Sequence, residues 1–393
     1  MVSKEIPKKN LAHKQVPTIY ICVYGQYNPE QPRISKLASS LIKTNYRINW
    51  IVSSGSGENV ISMNTKSKCI YFLKATAYLR WHLKPQDMVF CYVHIGGIVG
   101  FFSTLFKKTK FIYDYPDPWV GWYYYKTPND NLKWKVGRRI FYWLEKILYK
   151  SATYVTTASF SQLEFLQKQH GKKNNSSVIL NCADIKTFNG ANCDKELQKK
   201  LKLENKTILI YLGTIVEEYG CDILIEAFTK VLKKIPDAHL LFLGKAKFPS
   251  FQKHLNQLVQ KYKLEKAITF IPPVSRSQVP QFLNIAKIGF VPFKDRFYNN
   301  VGSPNKLFEY MACGVVPIVS DMVEFKQYIT NKKNGFLVKP EDSEELAKRT
   351  IEALSNKTLL ESIAKQNKKT VETIYNWDAQ EKKFLEVIKA VNK

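Results

Sequence analysis

Residues 302–321 read GSPNKLFEYMACGVVPIVSD: a turn of small residues, a helical stretch, a glycine and an apolar strand. Pro304 suits a helix start because its φ is fixed and it has no N–H to satisfy, so we predict a helix from about Asn305 to Cys313. A helix start approached by small residues binds phosphate well. Lys306 would add a charge there, with Glu309 about one turn along the same face. Spacing alone leaves two interpretations open: a cation for phosphate with a carboxylate for sugar hydroxyls, or an ordinary helix with a surface Lys–Glu pair.

Apolar strands alternate with helical stretches along all 393 residues. The predicted strands lie at 18–25, 48–54, 88–93, 110–115, 154–159 and 177–181, and then at 207–213, 239–244, 267–272, 288–293, 316–320 and 335–340. This alternation is typical of parallel sheets. Residues 186–206 are polar and contain no strand-like run, which indicates a boundary between two domains.

The prediction is therefore an α/β chain of two doubly wound, Rossmann-like domains that face each other across a cleft. The first domain is placed at residues 1–187 and the second at 188–374. A C-terminal helix at 375–393 is expected to pack back on the first domain. In such folds a ligand binds at the carboxyl ends of the strands, so the loops after the strands are where chemistry is expected.

Charge sets the class of partner. The chain has 60 Lys and Arg against 33 Asp and Glu, a net charge of +27. This surplus indicates an anionic partner such as nucleic acid, anionic lipid or a phosphorylated substrate, or else a coding bias with no partner. No helix-turn-helix, RNP or zinc motif supports nucleic acid. Seven cysteines without a CxxC pair predict free thiols, no metal site and a reducing, cytoplasmic location; no secretory signal is expected.

Two further loops and one helix are candidates for function. Gly213 follows a strand, which fits either a phosphate-facing turn or a tight βα connection. Asp117 lies in the aromatic loop YDYPDPWVGWYYY at 113–125, near Trp119 and Trp122. Carboxylates beside rings suit a sugar, but the same loop fits a core lining with Asp117 as a turn cap.

The helix predicted at 132–150 is amphipathic and basic. Its apolar positions have helical spacing and comprise Val136, Ile140, Phe141, Leu144, Ile147 and Leu148. Around them are Lys133, Lys135, Arg138, Arg139 and Lys146, with Trp134 and Trp143. Both a membrane-surface helix and a core-packed helix with a solvated basic face fit this pattern.

Taken with its neighbours, the segment at 302–321 resembles the nucleotide-sugar segment of GT-B glycosyltransferases, the family 4 type of retaining enzyme. The pieces at 211–228, 239–244 and 268–293 match that family in order, and 334–347 looks like the segment that follows. In the first half, 113–119 resembles the acceptor-side Asp loop of the family. The match covers the second domain closely and the first loosely.

The resemblance implies a role for each matching residue. Glu309 would hold the nucleotide ribose, and Asp117 would orient the acceptor; with Lys306 these are the predicted catalytic residues. The remaining predicted donor contacts are Gly302, Ser303, Lys306 and Leu307 in the SPxK-type turn and helix, Gly213 and Thr214 in the other diphosphate loop, and Val274 and Arg276 where the base is usually packed.

The function implied is a metal-independent, cofactor-free and retaining transfer of a sugar from a nucleotide-diphosphate sugar. The acceptor would be a glycan or a lipid-linked molecule in cell-surface polysaccharide or glycoconjugate assembly, with peripheral attachment to an anionic membrane surface.

The sequence departs from the family pattern at several positions. Val301 stands where a first glutamate is frequent, Thr214 and Tyr219 replace an arginine and a lysine, and Pro116 replaces the histidine before Asp117. Lys306 would then carry more of the diphosphate charge, together with Arg276 or Arg296. These gaps keep an alternative open: a weak or inactive GT-B scaffold that serves as a partner subunit of a glycan-assembly complex.

Overall fold

The computed structural model describes residues 16–28, 32–117, 132–189 and 195–392. Trp119 and Trp122 lie outside the described residues, as do the side chains of Lys133 and Trp134. The chain divides into two compact units, one of Met1–Asp114 with Ser151–Tyr154 and one of Tyr115–Lys150 with Val155–Lys393. The predicted boundary between residues 187 and 188 stays a prediction.

The first seven strands form one parallel sheet in the order β3-β2-β1-β4-β5-β6-β7. Its elements are β1 (Thr18–Gln26), α1 (Pro32–Ile42), β2 (Arg47–Ser54), β3 (Val60–Ser62), α2 (Lys68–His82), β4 (Met88–Tyr92), α3 (Val93–Thr104), β5 (Lys110–Tyr115), α4 (Leu132–Ser151), β6 (Tyr154–Thr157), α5 (Phe160–His170) and β7 (Ser176–Val178). Among the strands of the described residues, β3 alone has no counterpart among the predicted strands.

The next six strands form a second parallel sheet, in the order β10-β9-β8-β11-β12-β13. Its elements are α6 (Lys195–Lys200), β8 (Thr207–Leu212), α7 (Cys221–Lys234), β9 (Ala238–Leu243), α8 (Pro249–Lys261), β10 (Ile268–Ile271), α9 (Val279–Asn284), β11 (Ala286–Val291), α10 (Phe297–Val301), α11 (Asn305–Cys313), β12 (Val316–Ser320), β13 (Phe336–Val338), α12 (Ser343–Ser355), α13 (Lys357–Thr373) and α14 (Trp377–Asn392).

Strand composition explains this architecture. Every residue of β9, AHLLFL, and of β12, VPIVS, is buried. Parallel strands with helices on both faces read as continuous apolar runs for this reason. In each sheet the strand order reverses beside the first strand, which is the doubly wound pattern with a ligand-binding crevice at the reversal. The predicted fold class, two Rossmann-like α/β domains, is confirmed.

The C-terminal helix contacts the segment that follows β7. The Trp377 N–H donates to the Ala183 carbonyl (3.0 Å), and the Leu180 N–H donates to Gln380 Oε1 (3.0 Å). None of the described helices is long and apolar enough to cross a membrane.

Candidate donor-binding site

Two glycine turns lie side by side where β8 and β9 end. Gly213 has a φ of +110°, a conformation that side chains other than glycine rarely adopt. A Cβ on Gly244 would lie 2.0 Å from the Gly213 carbonyl oxygen, so only glycine fits there. Pairing continues past the strands, because the Ile215 N–H donates to Lys245 O and the Lys247 N–H to Ile215 O, both at 3.0 Å. The side chains of the two loops therefore reach the same edge of the sheet.

Helix α11 begins at Asn305, as predicted from Pro304. Pro304 is the residue before the first turn, and no side chain caps the helix there. The first N–H groups of a helix have no partner within the helix, so an uncapped start favours anionic ligands. Gly302 and Ser303, half-buried, form the approach to this start.

Lys306 lies in an aromatic cage. Its Nζ is 4.1 Å from the ring centroid of Tyr211, 5.4 Å from that of Tyr219 and 5.3 Å from that of Phe293. The side chain is buried, and within the described ranges its Nζ has no hydrogen-bond partner. A Cβ on Gly213 would lie 3.4 Å from this Nζ, so the amine borders the first glycine turn.

Burial lowers the pKa of Lys306 to about 8, although Cys221 and Glu309 act in the opposite direction. A buried cation without a hydrogen bond is costly for the protein, and such sites are frequently functional. The surface interpretation of the Lys306–Glu309 pair is wrong, because both side chains are buried.

Glu309 forms an ion pair that spacing alone did not show. Its Oε1 accepts a hydrogen bond from Arg276 Nη2 at 2.8 Å. The guanidinium carbon of Arg276 lies 5.0 Å from the ring centroid of Phe188. Glu309 is thus held in place from the loop where the family resemblance puts the nucleotide base, and Val274 of that loop packs on the adjacent core.

Two predicted residues have different surroundings from those expected. Leu307 is fully buried in the core, and its N–H donates to the Pro304 carbonyl at 3.2 Å, which favours a packing role over a donor contact. Arg296 pairs with Glu341, with two N···O distances of 3.3 Å. Of the two arginines considered as substitutes for the missing cations, Arg276 is the one that contacts a predicted site residue.

Asp117 is exposed and lies near the loop after β8. Burial raises the pKa of Tyr219, and the charges of Asp117 and Glu218 raise it further. The Tyr219 ring stacks on Phe293 at 4.3 Å, beside Lys306. The charge of Asp117 therefore acts on a ring that lies beside Lys306. Asp114, three residues earlier, is instead buried in a bidentate pair with Arg33, with N···O distances of 2.6 and 2.9 Å.

Sequence analysis missed two lysines that border Thr214. A cavity of about 590 Å³ is lined by Thr214, Val216, Glu218, Tyr219, Lys245, Ala246, Lys247, Phe248 and Tyr298. Lys245 and Lys247 are exposed and follow Gly244 directly. The signal that could have found them is the sequence GKAK after a buried strand, at the same sheet edge as the Gly213 turn. They supply positive charge where the family pattern lacks it.

The chain is similar to known proteins in sequence and in fold. Residues 193–370 match the family model described as "Glycosyl transferases group 1". Spore coat protein SA of Bacillus subtilis (strain 168) is 22% identical over 248 residues, 60% of this chain and 64% of that protein. An uncharacterized glycosyltransferase of Haemophilus influenzae is 31% identical over 152 residues, 38% of this chain and 40% of that protein. The chain thus spans less than two thirds of either relative.

The fold extends beyond the aligned part. A crystal structure of Anabaena Alr3699/HepE in complex with UDP-glucose matches with a TM-score of 0.76 at 15% identity, covering 95% of this chain and 99% of that one. The chain has the fold of GT-B glycosyltransferases. The match to the model of group 1 glycosyltransferases includes all six strands of the second sheet, β8 to β13.

Within the described part of the chain, no group of three or more His, Cys, Asp or Glu side chains could hold a metal ion. The metal-independent reaction stays a prediction, because it was inferred from family resemblance.

Proposed function

We propose that this protein transfers a sugar from a nucleotide-diphosphate sugar to a glycan or lipid-linked acceptor, with retention at the anomeric carbon and without a metal ion. The observation that supports this most directly is the Nζ of Lys306, buried beside the Gly213 turn and the start of α11. An anionic ligand there would accept a hydrogen bond from this amine, for which the described residues provide no acceptor.

Each group would act on a different part of the donor. Lys306, the backbone N–H groups at Gly302 and Ser303 and the start of α11 would stabilise the diphosphate, and Glu309 would accept hydrogen bonds from the ribose. The bond from the anomeric carbon to phosphate oxygen breaks, and its electron pair leaves with the nucleoside diphosphate. The acceptor hydroxyl bonds to that carbon and gives its proton to the leaving phosphate. Stabilising the departing charge is the main demand of this step.

Asp117 would orient the acceptor hydroxyl. The cell-surface role is proposed from family resemblance alone. The alternative is a GT-B scaffold that binds a nucleotide sugar without turnover. Val301, buried where a family glutamate is frequent, supports that alternative.

A transfer assay distinguishes the two functions. The full chain is incubated with UDP-, GDP- and ADP-sugars, with and without bacterial lipid and glycan extracts, and release of nucleoside diphosphate is measured. The proposed function predicts release that depends on the acceptor extract. Tight binding of one nucleotide sugar with no release under any condition would instead assign the scaffold role.

Lys245 and Lys247 are expected to contribute to diphosphate affinity. The double change Lys245→Ala and Lys247→Ala should weaken nucleoside-diphosphate binding about tenfold, because each charged contact contributes roughly 1.5–3 kcal/mol when desolvated and less when exposed. Titration calorimetry at low and high salt measures this loss, which should shrink as salt screens the charges.

The matched control is the double change Lys253→Ala and Lys266→Ala, two exposed lysines that do not line the cavity. If both double variants lose the same nucleoside-diphosphate affinity, Lys245 and Lys247 do not belong to the donor site.

Peripheral attachment to an anionic membrane through α4 is part of the proposal. Five apolar side chains of this helix are exposed at helical spacing: Leu132, Val136, Ile140, Trp143 and Ile147. Leu148 and Tyr149 are buried, so packing uses a different face. An exposed apolar stripe flanked by bases is typical of an interfacial helix.

Liposome flotation checks the contribution of α4. The triple change Lys135→Ser, Arg138→Ser and Arg139→Ser should weaken binding to anionic vesicles, because each basic residue near such a surface contributes about 1 kcal/mol. The control is the triple change Lys253→Ser, Lys266→Ser and Lys333→Ser, which removes three exposed lysines outside α4 and should leave binding unchanged. Unchanged flotation of the α4 variant, or equal binding to neutral vesicles, would contradict this role.

A further inference from the structure

A second cavity lies within the first unit, and none of its lining residues is assigned to donor binding. Its volume is about 540 Å³, which is within the range of small-molecule sites. Helix α1 lines it with Ser35, Ala38, Ser39 and Ile42, which share one face of the helix, and β2 lines it with Trp50, at the middle of the strand. The cavity therefore extends along a face of the first sheet, whereas folds of this kind bind their substrates at the carboxyl ends of the strands.

Two aromatic rings meet in the wall of this cavity, which we call the α1–β2 cavity. Tyr27 and Trp50 are half-buried, and their ring centroids lie 5.3 Å apart, edge to face. Gly57 leaves room for the first ring, because a Cβ there would lie 3.1 Å from Cε1 of Tyr27. The Trp50 N–H donates to the Asn59 carbonyl at 2.8 Å, which fixes the second residue. The rings thus offer a fixed apolar surface beside the cavity.

Polar side chains stand around these rings. Ser39, Arg47, Glu58 and Asn59 line the same cavity and are exposed. Of the described residues that line it, Arg47 is basic and Glu58 is acidic, so their charges cancel. The cavity beside Thr214 is different, because two lysines border it. The α1–β2 cavity therefore suits a neutral ligand better than a phosphorylated one.

Two hydroxyl groups in the wall have unused hydrogen-bonding capacity. The oxygens of Ser35 and Tyr46 are buried, and within the described ranges neither has a hydrogen-bond partner. Buried polar groups in folded proteins nearly always have one. A ligand rich in hydroxyl groups would supply partners, either directly or through a bridging water.

We propose that the α1–β2 cavity binds a neutral pyranose unit of the acceptor glycan. The rings of Tyr27 and Trp50 contact the C–H groups on one side of the sugar, which the negative face of an aromatic ring attracts. Arg47, Glu58 and Asn59 bond to its hydroxyls, and hydrogen bonds from or to the two charged groups are the stronger ones. Apolar walls with a few polar groups that fix orientation are the usual composition of a small-molecule site.

This inference rests on the proposed transfer of sugars, since that function supplies an acceptor made of sugar units. It is measured by binding alone, without turnover. Acceptor-dependent release of nucleoside diphosphate from a chain whose cavity binds no sugar would contradict this inference and leave the proposed function intact. Sugar binding in the cavity of a chain that shows no release would do the reverse.

The test is saturation-transfer NMR of the full chain with the methyl glycosides of glucose, galactose, mannose, rhamnose, N-acetylglucosamine and N-acetylgalactosamine. At least one glycoside should bind, and Trp50→Leu should weaken its binding at least about tenfold, because the aromatic face is lost. Thermal denaturation checks the fold of this variant. Asn59→Gly should also weaken binding, and its folding is not at risk, because Asn59 is exposed and glycine suits its φ of +58°.

A matched pair of double variants separates the rim charges from charge in general. The double change Arg47→Gln and Glu58→Gln should weaken glycoside binding. The control is the double change Lys233→Gln and Glu265→Gln, which removes exposed charges of both signs from the second unit and should leave binding unchanged. Nucleoside-diphosphate affinity should be equal in all of these variants.

Absence of binding by every glycoside would overturn the proposal, as would binding that both Trp50→Leu and Asn59→Gly leave unchanged. Glycoside binding that is lost in Lys306→Met and kept in Trp50→Leu would place the sugar at the donor site, which would also overturn it. Binding of uridine or adenosine that depends on Trp50, without binding of any glycoside, would assign the cavity to a nucleoside and contradict the proposal equally.

Discussion

Glu309→Gln is expected to lower sugar transfer at least about tenfold while the protein stays folded. The glutamine keeps the size of the side chain but loses charge-assisted hydrogen bonds to hydroxyl groups, each of which contributes roughly 1.5–3 kcal/mol. Arg276, the partner of Glu309, is 40% exposed at its side chain, so water can solvate the guanidinium when the carboxylate charge is removed. Steady-state kinetics with the preferred nucleotide sugar measure the loss, and circular dichroism checks the fold.

The matched control is Glu361→Gln, which removes an exposed carboxylate whose partner Lys357 lies at 3.9 Å on the same helix. Turnover should be unchanged in this control. Full turnover in Glu309→Gln would exclude Glu309 from the donor site.

Lys306→Met is expected to lose most nucleoside-diphosphate affinity and little affinity for the matching nucleoside. The methionine fills the volume enclosed by Tyr211, Tyr219 and Phe293 without a charge. Lysine has a pKa of 10.5 in its ordinary state and about 8 here, a difference of roughly 3 kcal/mol against the charged form. Removing the buried amine should therefore not lower, and is expected to raise, the free energy of unfolding of the ligand-free protein.

The pH dependence follows from the same shift in the pKa of Lys306. Because the unfolded chain holds this proton more tightly, the contribution of Lys306 to the free energy of unfolding should rise between about pH 8 and 10.5. This contribution is measured as the difference between the wild type and Lys306→Met, since burial raises the pKa values of Cys22, Cys91 and Cys221 and these thiols act in the opposite direction in both proteins. Nucleoside-diphosphate affinity should fall over the same range, since the free amine loses its charge above about pH 8. The part that belongs to Lys306 should be absent from both pH profiles of Lys306→Met, which denaturant titration and calorimetry measure. If Lys306→Met loses diphosphate binding and nucleoside binding equally, Lys306 does not contact the phosphates.

The architecture could be predicted from sequence because parallel strands are buried on both faces and read as continuous apolar runs. The start of α11 could be predicted as well, since Pro304 acts locally. The surroundings of Lys306 could not. Tyr211 lies in β8, Tyr219 in the loop after β8 and Phe293 in the loop after β11, and the three rings meet only when β8 and β11 pair. The same holds for Arg276 and Glu309, which are 33 residues apart in sequence.

Periodicity also left open which side of a helix is packed. In α2, apolar residues at two phases satisfy helical spacing, and only the structure shows that Tyr71 and Leu79 are buried while Trp81 is exposed. In α4, residues such as Ile140 and Ile147 belong to a stripe that fits packing or a membrane, and they prove to be exposed. The lysines after Gly244 went unnoticed because their position beside Thr214 depends on contact between two loops.

The central claim is that the uncapped start of α11 and the amine of Lys306 bind the diphosphate of a nucleotide sugar. A thermal-shift panel of UDP, GDP and ADP, their sugars and the corresponding nucleosides tests it most directly, with Lys306→Met alongside the wild type. A ligand at 100 times its Kd stabilises the folded state by about 2.7 kcal/mol, which the method detects. We expect one nucleoside diphosphate and its sugar to stabilise the wild type, and the same ligands to stabilise Lys306→Met much less. No shift with any diphosphate, or the same shift in both proteins, would contradict it.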